Sequence, residues 1–215
     1  MRPDGTRVRD LTAIMQALPY VMPKRYDAQN WAEEYLDEDA IRDYIRAKRR
    51  EGRTVTHMSL LVSAYYRAVL KNPKINYFVM NRRIYKRNHF CFSFVILKTR
   101  ADGTPDETSL KVYLEQEDTV FTVTEKIRST IEKNQNIQHN NDTDRFAKFV
   151  FGVPGLARAV FALAGFLDRH NLLPRSIIEL SPFHTSLFVT NLASINTPCI
   201  FHHCYEFGTT SVFVC

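Results

Sequence analysis

The stretch that decides the fold is residues 183–215, FHTSLFVTNLASINTPCIFHHCYEFGTTSVFVC. Two short runs within it, residues 186–189 and 211–214, are rich in β-branched and aromatic side chains, which predicts two buried strands. The segment between these runs gathers hydroxyl, amide, imidazole and thiol groups more densely than any other part of the chain. Because neither a turn nor a polar tail follows the second run, we expect the natural chain to continue beyond Cys215.

The composition indicates a globular protein with one core. The chain has 215 residues, 45% of them hydrophobic, and its 29 Lys and Arg against 23 Asp and Glu give a net charge of +6. This charge suits polyanionic small ligands but is far below that of a dedicated nucleic-acid binder, so we expect no nucleic-acid partner. The cysteines show no C-x-x-C spacing and the N-terminus has no apolar signal segment, which favours a cytoplasmic protein with reduced thiols.

Upstream patterns predict an arm followed by helices. Residues 1–26 are polar and interrupted by Pro3, Gly5, Pro19 and Pro23, which predicts an extended N-terminal arm, and residues 27–215 form the predicted domain, incomplete at its C-terminus. Acidic residues 37–39 cap one helix, and residues 54–72 form a second helix that is apolar on nearly every side. The capping box Thr122-x-x-Glu125 opens a third helix.

Residues 149–167 are apolar enough to suggest a membrane span, for which about 20 apolar residues are needed. Pro154, Arg158 and three glycines interrupt the run. We therefore expect a pair of helices that covers the core, and no membrane span.

Three runs predict a sheet. Residues 90–97 are continuously apolar, residues 109–114 alternate between apolar and polar, and residues 185–189 are mostly β-branched or aromatic and end in a turn. We expect all three to be strands of one mixed sheet packed under the helix over residues 54–72. The alternation of helices and strands indicates an α/β (α+β) two-layer sandwich.

The histidines and cysteines of the final stretch suggest a metal site. His202 and His203, flanked by Cys199 and Cys204, carry ligand types that zinc prefers. On a strand, however, adjacent side chains point to opposite faces, so these groups would not converge on one ion. We therefore expect no metal.

Four segments carry a resemblance to a known family. They are YDAQNWAEEYLD at 26–37, IRDYIRAKRREG at 41–52, KNPKINYFVMNRRIYKRN at 71–88 and FHTSLFVTNLASI at 183–195. Over nearly its whole length the chain resembles the dihydrolipoyl acyltransferase catalytic domain of 2-oxo acid dehydrogenase complexes, in the chloramphenicol acetyltransferase-like superfamily. The resemblance implies a two-layer sandwich, a homotrimer, and acyl transfer between coenzyme A and a thiol or hydroxyl acceptor.

The resemblance also suggests roles for individual residues. In the family a histidine deprotonates the acceptor and a strand-borne hydroxyl stabilises the oxyanion, and Thr190 matches that hydroxyl. The histidine belongs to a His-x-x-x-Asp-Gly motif that follows the last strand. Residues 203–208, HCYEFG, imitate it with Phe207 in place of the aspartate, so His203 is a candidate base.

The motif can also lie beyond Cys215, in which case the resemblance implies weak activity for this chain. A catalytically degenerate trimer that serves as a binding or scaffolding module is the alternative function. Arg82 and Arg83 lie in a basic run that suits the phosphates of coenzyme A, although such a run is more often a solvated edge.

Overall fold

The computed structural model describes residues 2–99, 103, 105–135, 149–192 and 197–215. Its helices are α1 (Ala13–Val21), α2 (Glu38–Arg50), α3 (His57–Lys71), α4 (Val120–Gln135), α5 (Leu156–Arg169) and α6 (Arg175–Leu180), with short 3-10 turns at Tyr26–Ala28 and Pro73–Asn76. Its strands are β1 (Gly5–Arg7), β2 (Tyr77–Met80), β3 (Arg83–Arg87), β4 (Phe90–Thr99), β5 (Pro105–Leu114), β6 (Leu187–Val189) and β7 (Phe213–Val214). They form two sheets, of order β1-β3-β2 and β5-β4-β6-β7.

The larger sheet is mixed, as predicted. Strands β4 and β5 are antiparallel, whereas β4 pairs with β6, and β6 with β7, in parallel. Both short runs of the final stretch are strands of this sheet, and they lie side by side. The predicted α/β fold class is therefore confirmed.

The main core lies between this sheet and helices α3 and α4. Alternate residues of β4 face it, and the pairs Phe92 with Val112 and Phe94 with Leu110 register across β4 and β5. Helix α3 contributes Val62, Tyr66 and Val69, whose spacing places them on one face. Burying each such side chain stabilises the fold by roughly 1.5–3 kcal/mol. The predicted sheet packed under the helix over residues 54–72 is confirmed.

The smaller sheet begins at the N-terminus. Where the sequence predicts an extended arm over residues 1–26, the structure has β1, which pairs with β3, and helix α1. Gly5 lies at the start of β1, and a Cβ on it would come within 2.6 Å of the Phe78 ring. The missing side chain thus allows β1 to lie against the aromatic ring.

Two helix starts show how far capping patterns can be trusted. Helix α2 begins as predicted, since the Asp37 carboxylate accepts hydrogen bonds from the backbone of Asp39 and Ala40. Helix α4 begins earlier than predicted, because Thr119 rather than Thr122 pairs with the residue three positions on. The capping box predicted at Thr122-x-x-Glu125 was therefore wrong in register.

Helix α5 overlaps the apolar residues 149–167 that suggest a membrane span. In the parts of the chain that the structure describes, no helix is long and apolar enough to cross a membrane.

Candidate functional site

A cavity of about 1930 Å³ is bounded by α1, residues 24–36, the β2–β3 turn and residues 199–215. Two aromatic side chains of its wall are largely exposed, Trp31 at 51% and Phe201 at 64%. Their rings meet edge to face with centroids 5.3 Å apart. The stretch that decides the fold therefore also supplies one wall of the cavity.

Gly208 fixes the backbone of this wall. Its φ of +88° is in the left-handed region, and a Cβ there would lie 2.3 Å from the carbonyl oxygen of Phe183. That oxygen accepts hydrogen bonds from the backbone N–H groups of Thr209, at 2.8 Å, and Thr210, at 3.0 Å. Only glycine allows the two backbones to approach so closely.

Arg25 stabilises the same wall through hydrogen bonds. Its guanidinium donates to the carbonyl oxygens of Gly208, at 2.6 Å, and Thr210, and its backbone N–H donates to the Glu206 carboxylate at 2.8 Å. Burial lowers the pKa of Arg25, but a guanidinium stays protonated in proteins. The cation thus donates to two backbone carbonyl oxygens of the wall, which satisfies buried acceptors.

His202 lies in the cavity wall, and two contacts orient its ring. The ring stacks on Phe213 with centroids 4.1 Å apart and planes 7° apart. Its Nδ1 lies 2.7 Å from the carbonyl oxygen of His203. A carbonyl can only accept, so in the neutral ring the proton sits on Nδ1 and Nε2 carries a lone pair. His202 therefore brings a basic nitrogen to the wall, and this candidate was missed in the sequence.

His203 is placed differently. It is exposed and lies outside the lining of the cavity, with Nδ1 3.3 Å from the carbonyl oxygen of Cys204. Phe207, which stands in place of the aspartate, packs its ring at 5.5 Å from His184 and 6.1 Å from Phe183. Of the residues that imitate the family motif, Phe207 and Gly208 line the cavity, whereas His203 does not.

Thr190 follows directly after β6, and its N–H donates to the carbonyl oxygen of Val214 at 2.9 Å. One step back in the register, Phe188 lies beside Phe213, with stacked rings 5.2 Å apart. Side chains two residues apart on a strand share a face. Thr190 and Cys215 therefore lie on the face that carries Phe188 and Phe213.

His202 lies on this face as well, because it stacks on Phe213. The structure thus brings His202 and Thr190 to the same side of the β6–β7 pair, away from the main core. Thr190, like His203, lies outside the lining of the cavity.

The two candidate arginines are adjacent at the β2–β3 turn, but only one of them lines the cavity. Asn81 and Arg82 have φ values of +48° and +58°, the pattern of a two-residue hairpin turn in which both central residues are left-handed. Arg82 lines the cavity, with its guanidinium carbon 5.3 Å from the centroid of the Tyr20 ring. Arg83 is exposed at the start of β3 and lies outside the lining.

A buried ion network lies behind the wall. Arg2, 3% exposed, donates to the carboxylates of Asp4 and Asp168, each at 2.8 Å. The second oxygen of Asp168 lies 3.1 Å from Nε2 of His184, whose Nδ1 lies 2.8 Å from the hydroxyl of Ser181. Charges buried in this way need such partners, because an unpaired one would be costly.

The pKa values of the two carboxyls follow from these contacts. Burial alone would raise the pKa of both groups, since it disfavours the charged form. For Asp4, the hydrogen bonds and charge of Arg2 outweigh burial, and for Asp168 those of His184 and Arg2 do so, so both pKa values are lowered. Both groups are therefore ionised at neutral pH.

The network reaches the cavity wall through Thr209. Arg87, 4% exposed, donates to the hydroxyl of Thr209 at 3.0 Å and to its carbonyl oxygen at 2.7 Å. The same hydroxyl donates to Asp4 at 3.3 Å. The backbone that follows Gly208 is therefore fixed by residues near the N-terminus, on β3 and on α5. No spacing or motif in the sequence indicates this network.

The structure changes the argument about a zinc site. Residues 197–205 form no regular strand, so the alternation on which the sequence argument relied does not apply there. Among the residues that the structure describes, no group of three or more His, Cys, Asp or Glu side chains could hold a metal ion.

No protein-family model matches the chain, and no curated protein is significantly similar to it. Among solved structures, the chain is similar to one described as a probable dihydrolipoamide acetyltransferase from Listeria monocytogenes 4b F2365. The match has 14% sequence identity and a TM-score of 0.43, and covers 94% of this chain and 70% of that chain.

Proposed function

We propose that the protein transfers an acyl group between coenzyme A and a thiol or hydroxyl acceptor. The observation that carries this proposal is the joint position of His202 and Thr190 on one face of the β6–β7 pair. An imidazole with a free Nε2 is a general base, and a hydroxyl is an oxyanion donor. Acyl transfer needs both groups beside one carbonyl.

The reaction follows from these two groups. Nε2 of His202 takes the proton of the acceptor thiol or hydroxyl, whose sulfur or oxygen attacks the thioester carbonyl. The Thr190 hydroxyl donates a hydrogen bond to the negative oxygen of the tetrahedral intermediate. Collapse of that intermediate breaks the carbon–sulfur bond, and the imidazolium returns its proton to the coenzyme A thiolate.

Arg82 is the candidate contact for the substrate's phosphates. It lines the cavity, whereas Arg83 does not, so of the two predicted ligands we assign the phosphate contact to Arg82. A guanidinium forms charge-assisted hydrogen bonds to phosphate oxygens. The stacking of Arg82 on Tyr20 supports an orientation along the cavity wall.

A homotrimer is the proposed assembly. Large apolar side chains of the cavity wall are exposed, including Trp31 and, on helix α5, Phe161. Where such exposed apolar side chains form one patch, they mark an interaction site. A second copy of the chain packed over the cavity would turn it into a channel between subunits. Sedimentation equilibrium tests this proposal, and a monomer at micromolar concentration would refute it.

The catalytic proposal is tested by thiol release from acetyl-coenzyme A in the presence of a small thiol acceptor. Loss of a general base lowers turnover by ~10²–10⁴-fold. We expect this loss for His202→Ala and little change for His203→Ala, a matched control one residue away. If His203→Ala alone abolishes turnover, the base is His203, as the family motif suggests. If the unmodified protein shows no turnover, the enzymatic proposal fails.

A binding module is the second candidate function. The position of Phe207 in an aromatic cluster supports it, because this ring cannot hold a catalytic loop through a carboxylate contact. Titration calorimetry with coenzyme A separates the two functions. Binding without thiol release from the acetyl thioester would favour the module, whereas binding with release favours the transferase.

A further inference from the structure

A serine, a histidine and an aspartate are hydrogen bonded in series at the end of the buried ion network. The hydroxyl oxygen of Ser181 lies 2.8 Å from Nδ1 of His184, and Nε2 of His184 lies 3.1 Å from Oδ2 of Asp168. Asp168 is on α5, Ser181 directly follows α6, and His184 precedes β6. Ser181 and His184 lie outside the lining of the large cavity, so the acyl transfer proposed above does not use them.

The aspartate fixes the tautomer of the histidine. Asp168 is ionised at neutral pH because its pKa is lowered, and an ionised carboxylate can only accept hydrogen bonds. In the neutral ring of His184 the proton therefore sits on Nε2, and Nδ1 carries the lone pair. The Ser181 hydroxyl must then donate to Nδ1, which places its proton on a general base.

Burial separates the three groups by depth. His184 is 0% exposed and Asp168 is 2% exposed, whereas Ser181 is half-buried. A nucleophile near the surface, with a base behind it and a carboxylate that orients the base, is the arrangement of an activated serine. The ring is turned relative to the usual triad, in which Nε2 faces the serine, but either ring nitrogen can take the proton.

Hydrogen bonds also fix the loop that carries the serine. The ammonium of Lys111 donates to the carbonyl oxygens of Ile178, at 2.9 Å, and His184, at 3.0 Å. The backbone N–H of Phe183 donates to the hydroxyl oxygen of Ser181 at 3.3 Å. The Ser181 hydroxyl is thus held in place by a donor as well as by its acceptor.

We infer that Ser181 is a nucleophile that accepts an acyl group from activated carboxylic esters, with His184 as its general base and Asp168 as a positioning residue. The Ser181 oxygen attacks the ester carbonyl while Nδ1 of His184 takes the hydroxyl proton. Collapse of the tetrahedral intermediate breaks the bond to the leaving oxygen, which receives the proton from the imidazolium. The products are an acyl ester on Ser181 and a free alcohol.

The neighbouring surface suits an apolar acyl group. Leu180, which directly precedes Ser181, is 80% exposed, and Ile177 is 45% exposed. The backbone N–H of Ser181 donates to the carbonyl oxygen of Ile177 at 2.9 Å, so both apolar residues lie in the turn that ends at the serine. We therefore expect esters of apolar acids to react faster than acetate esters of the same alcohol.

The test treats the full chain with an alkyl fluorophosphonate and locates the adduct by intact mass and peptide mapping. In this probe phosphorus replaces the carbonyl carbon and fluoride is the leaving group. We expect one phosphonyl group per folded chain, on Ser181, and none on the chain unfolded in urea, because activation requires the three side chains together. The test needs no coenzyme A, so it is independent of the function proposed above.

Ser181→Ala should lose the adduct, whereas Ser176→Ala, a matched control at an exposed position on α6, should keep it. Asp168→Asn presents an amide N–H to Nε2, which moves the ring proton to Nδ1 and removes the acceptor of the serine. The corresponding change in a serine protease lowers kcat ~10⁴-fold, and we expect labelling per folded molecule to slow by ~10²-fold or more. Circular dichroism gives the folded fraction of each variant.

Four results would overturn the inference. They are the absence of an adduct on the folded unmodified protein, an adduct at a residue other than Ser181, equal labelling of the folded and unfolded chains, and an unchanged labelling rate in folded Asp168→Asn. The last result would show that the series of hydrogen bonds is structural only.

Discussion

Gly208 is a single residue on which the shape of the cavity wall depends. Its left-handed backbone lets two consecutive N–H groups converge on the carbonyl oxygen of Phe183. The same turn presents the carbonyl oxygen of Gly208 to Arg25. A side chain at position 208 would break both arrangements at once, because it would collide with backbone and not with a movable side chain.

Gly208→Ala should therefore be strongly destabilising. The left-handed conformation costs alanine about 1–2 kcal/mol, and displacing the Phe183 backbone adds about 1–3 kcal/mol. Gly52→Ala is the matched control, since Gly52 has a φ of +75° with nothing within 4 Å of a built Cβ. Urea denaturation should show the larger loss at position 208. Equal losses at both positions would mean that the Phe183 backbone yields freely.

Thr190→Val tests the oxyanion role at the scale of one hydroxyl. Threonine and valine have similar shapes, and the backbone N–H bond to Val214 is unaffected. An oxyanion contact exists mainly in the transition state, so kcat should fall by ~10²-fold or more with little change in KM. Steady-state kinetics with acetyl-coenzyme A measures this. An unchanged kcat with a lower melting temperature would instead assign Thr190 a purely structural role.

At the residue scale, sequence patterns do not decide between neighbouring candidate side chains of the site. Thr190 was singled out because a strand end and a family motif coincide there. His202 could not be separated from His203, because the choice depends on which ring stacks on Phe213, and the irregular segment has no periodicity that predicts it. A resemblance to a motif pointed to His203, which the structure leaves in solvent.

At the scale of elements, hydrophobic pattern was a good guide and capping pattern a weaker one. Strands β4 and β5 were predicted because burial of one sheet face imposes alternation or a continuous apolar run. The start of α4 was misplaced because two threonines three residues apart, Thr119 and Thr122, can each serve as a cap. The sequence pattern predicts that a helix begins near these threonines, and local hydrogen bonds determine its first residue.

Helix α3 carries an observed capping box that can be tested. The Thr56 hydroxyl accepts from the backbone of Ser59 at 3.1 Å, and the Ser59 hydroxyl accepts from the backbone of Thr56 at 2.9 Å. Thr56→Ala should lower the free energy of unfolding by about 1 kcal/mol. Thr54→Ala, at an exposed position before the helix, should change it by less than about 0.5 kcal/mol. Chemical denaturation of both variants checks the difference, and similar effects would contradict the role of the cap.

At the scale of the molecule, the buried ion network connects parts of the chain that no local pattern links. Arg2 and Asp168 are separated by 166 positions, and the sequence of residues 1–26 predicts only a polar arm. Single-sequence patterns report which face of an element is buried, and they carry no information on which charged side chain will find a partner. The fold class could thus be predicted, whereas the contacts that position the cavity wall could not.

Asp168→Asn should test the network as a whole. Removing one partner of a buried ion pair costs about 3–5 kcal/mol, and here both Arg2 and His184 would lose a carboxylate. Because the folded pKa of Asp168 is lowered, its contribution is present above the unfolded pKa of about 3.9 and is lost as pH falls through the folded pKa. The variant should therefore be less stable at neutral pH and less sensitive to acid in that range.

Asp43→Asn is the control for this measurement, because Asp43 pairs with Arg46 at 3.6 Å on the exposed surface. Exposed pairs contribute about 0–1 kcal/mol. Urea denaturation at neutral and acidic pH should therefore separate the two variants. Equal effects would show that the buried network contributes no more than a surface pair.

His89, which lies beside the network, makes the stability of the fold depend on pH in a second and higher range. Burial first, and then the positive charge of Arg87, lowers the pKa of His89 from 6.5 to about 4. Between these values the unfolded chain binds a proton that the folded protein excludes, so stability falls as pH drops from 6.5 towards 4 and is unaffected above that range. At 1.36 kcal/mol per unit, the loss amounts to roughly 3 kcal/mol.

His89→Gln should flatten this part of the profile and leave the lower, carboxylate part in place, whereas Asp168→Asn should do the reverse. Urea denaturation across the range measures both, and a profile that keeps its full slope in His89→Gln would show that another group carries the proton.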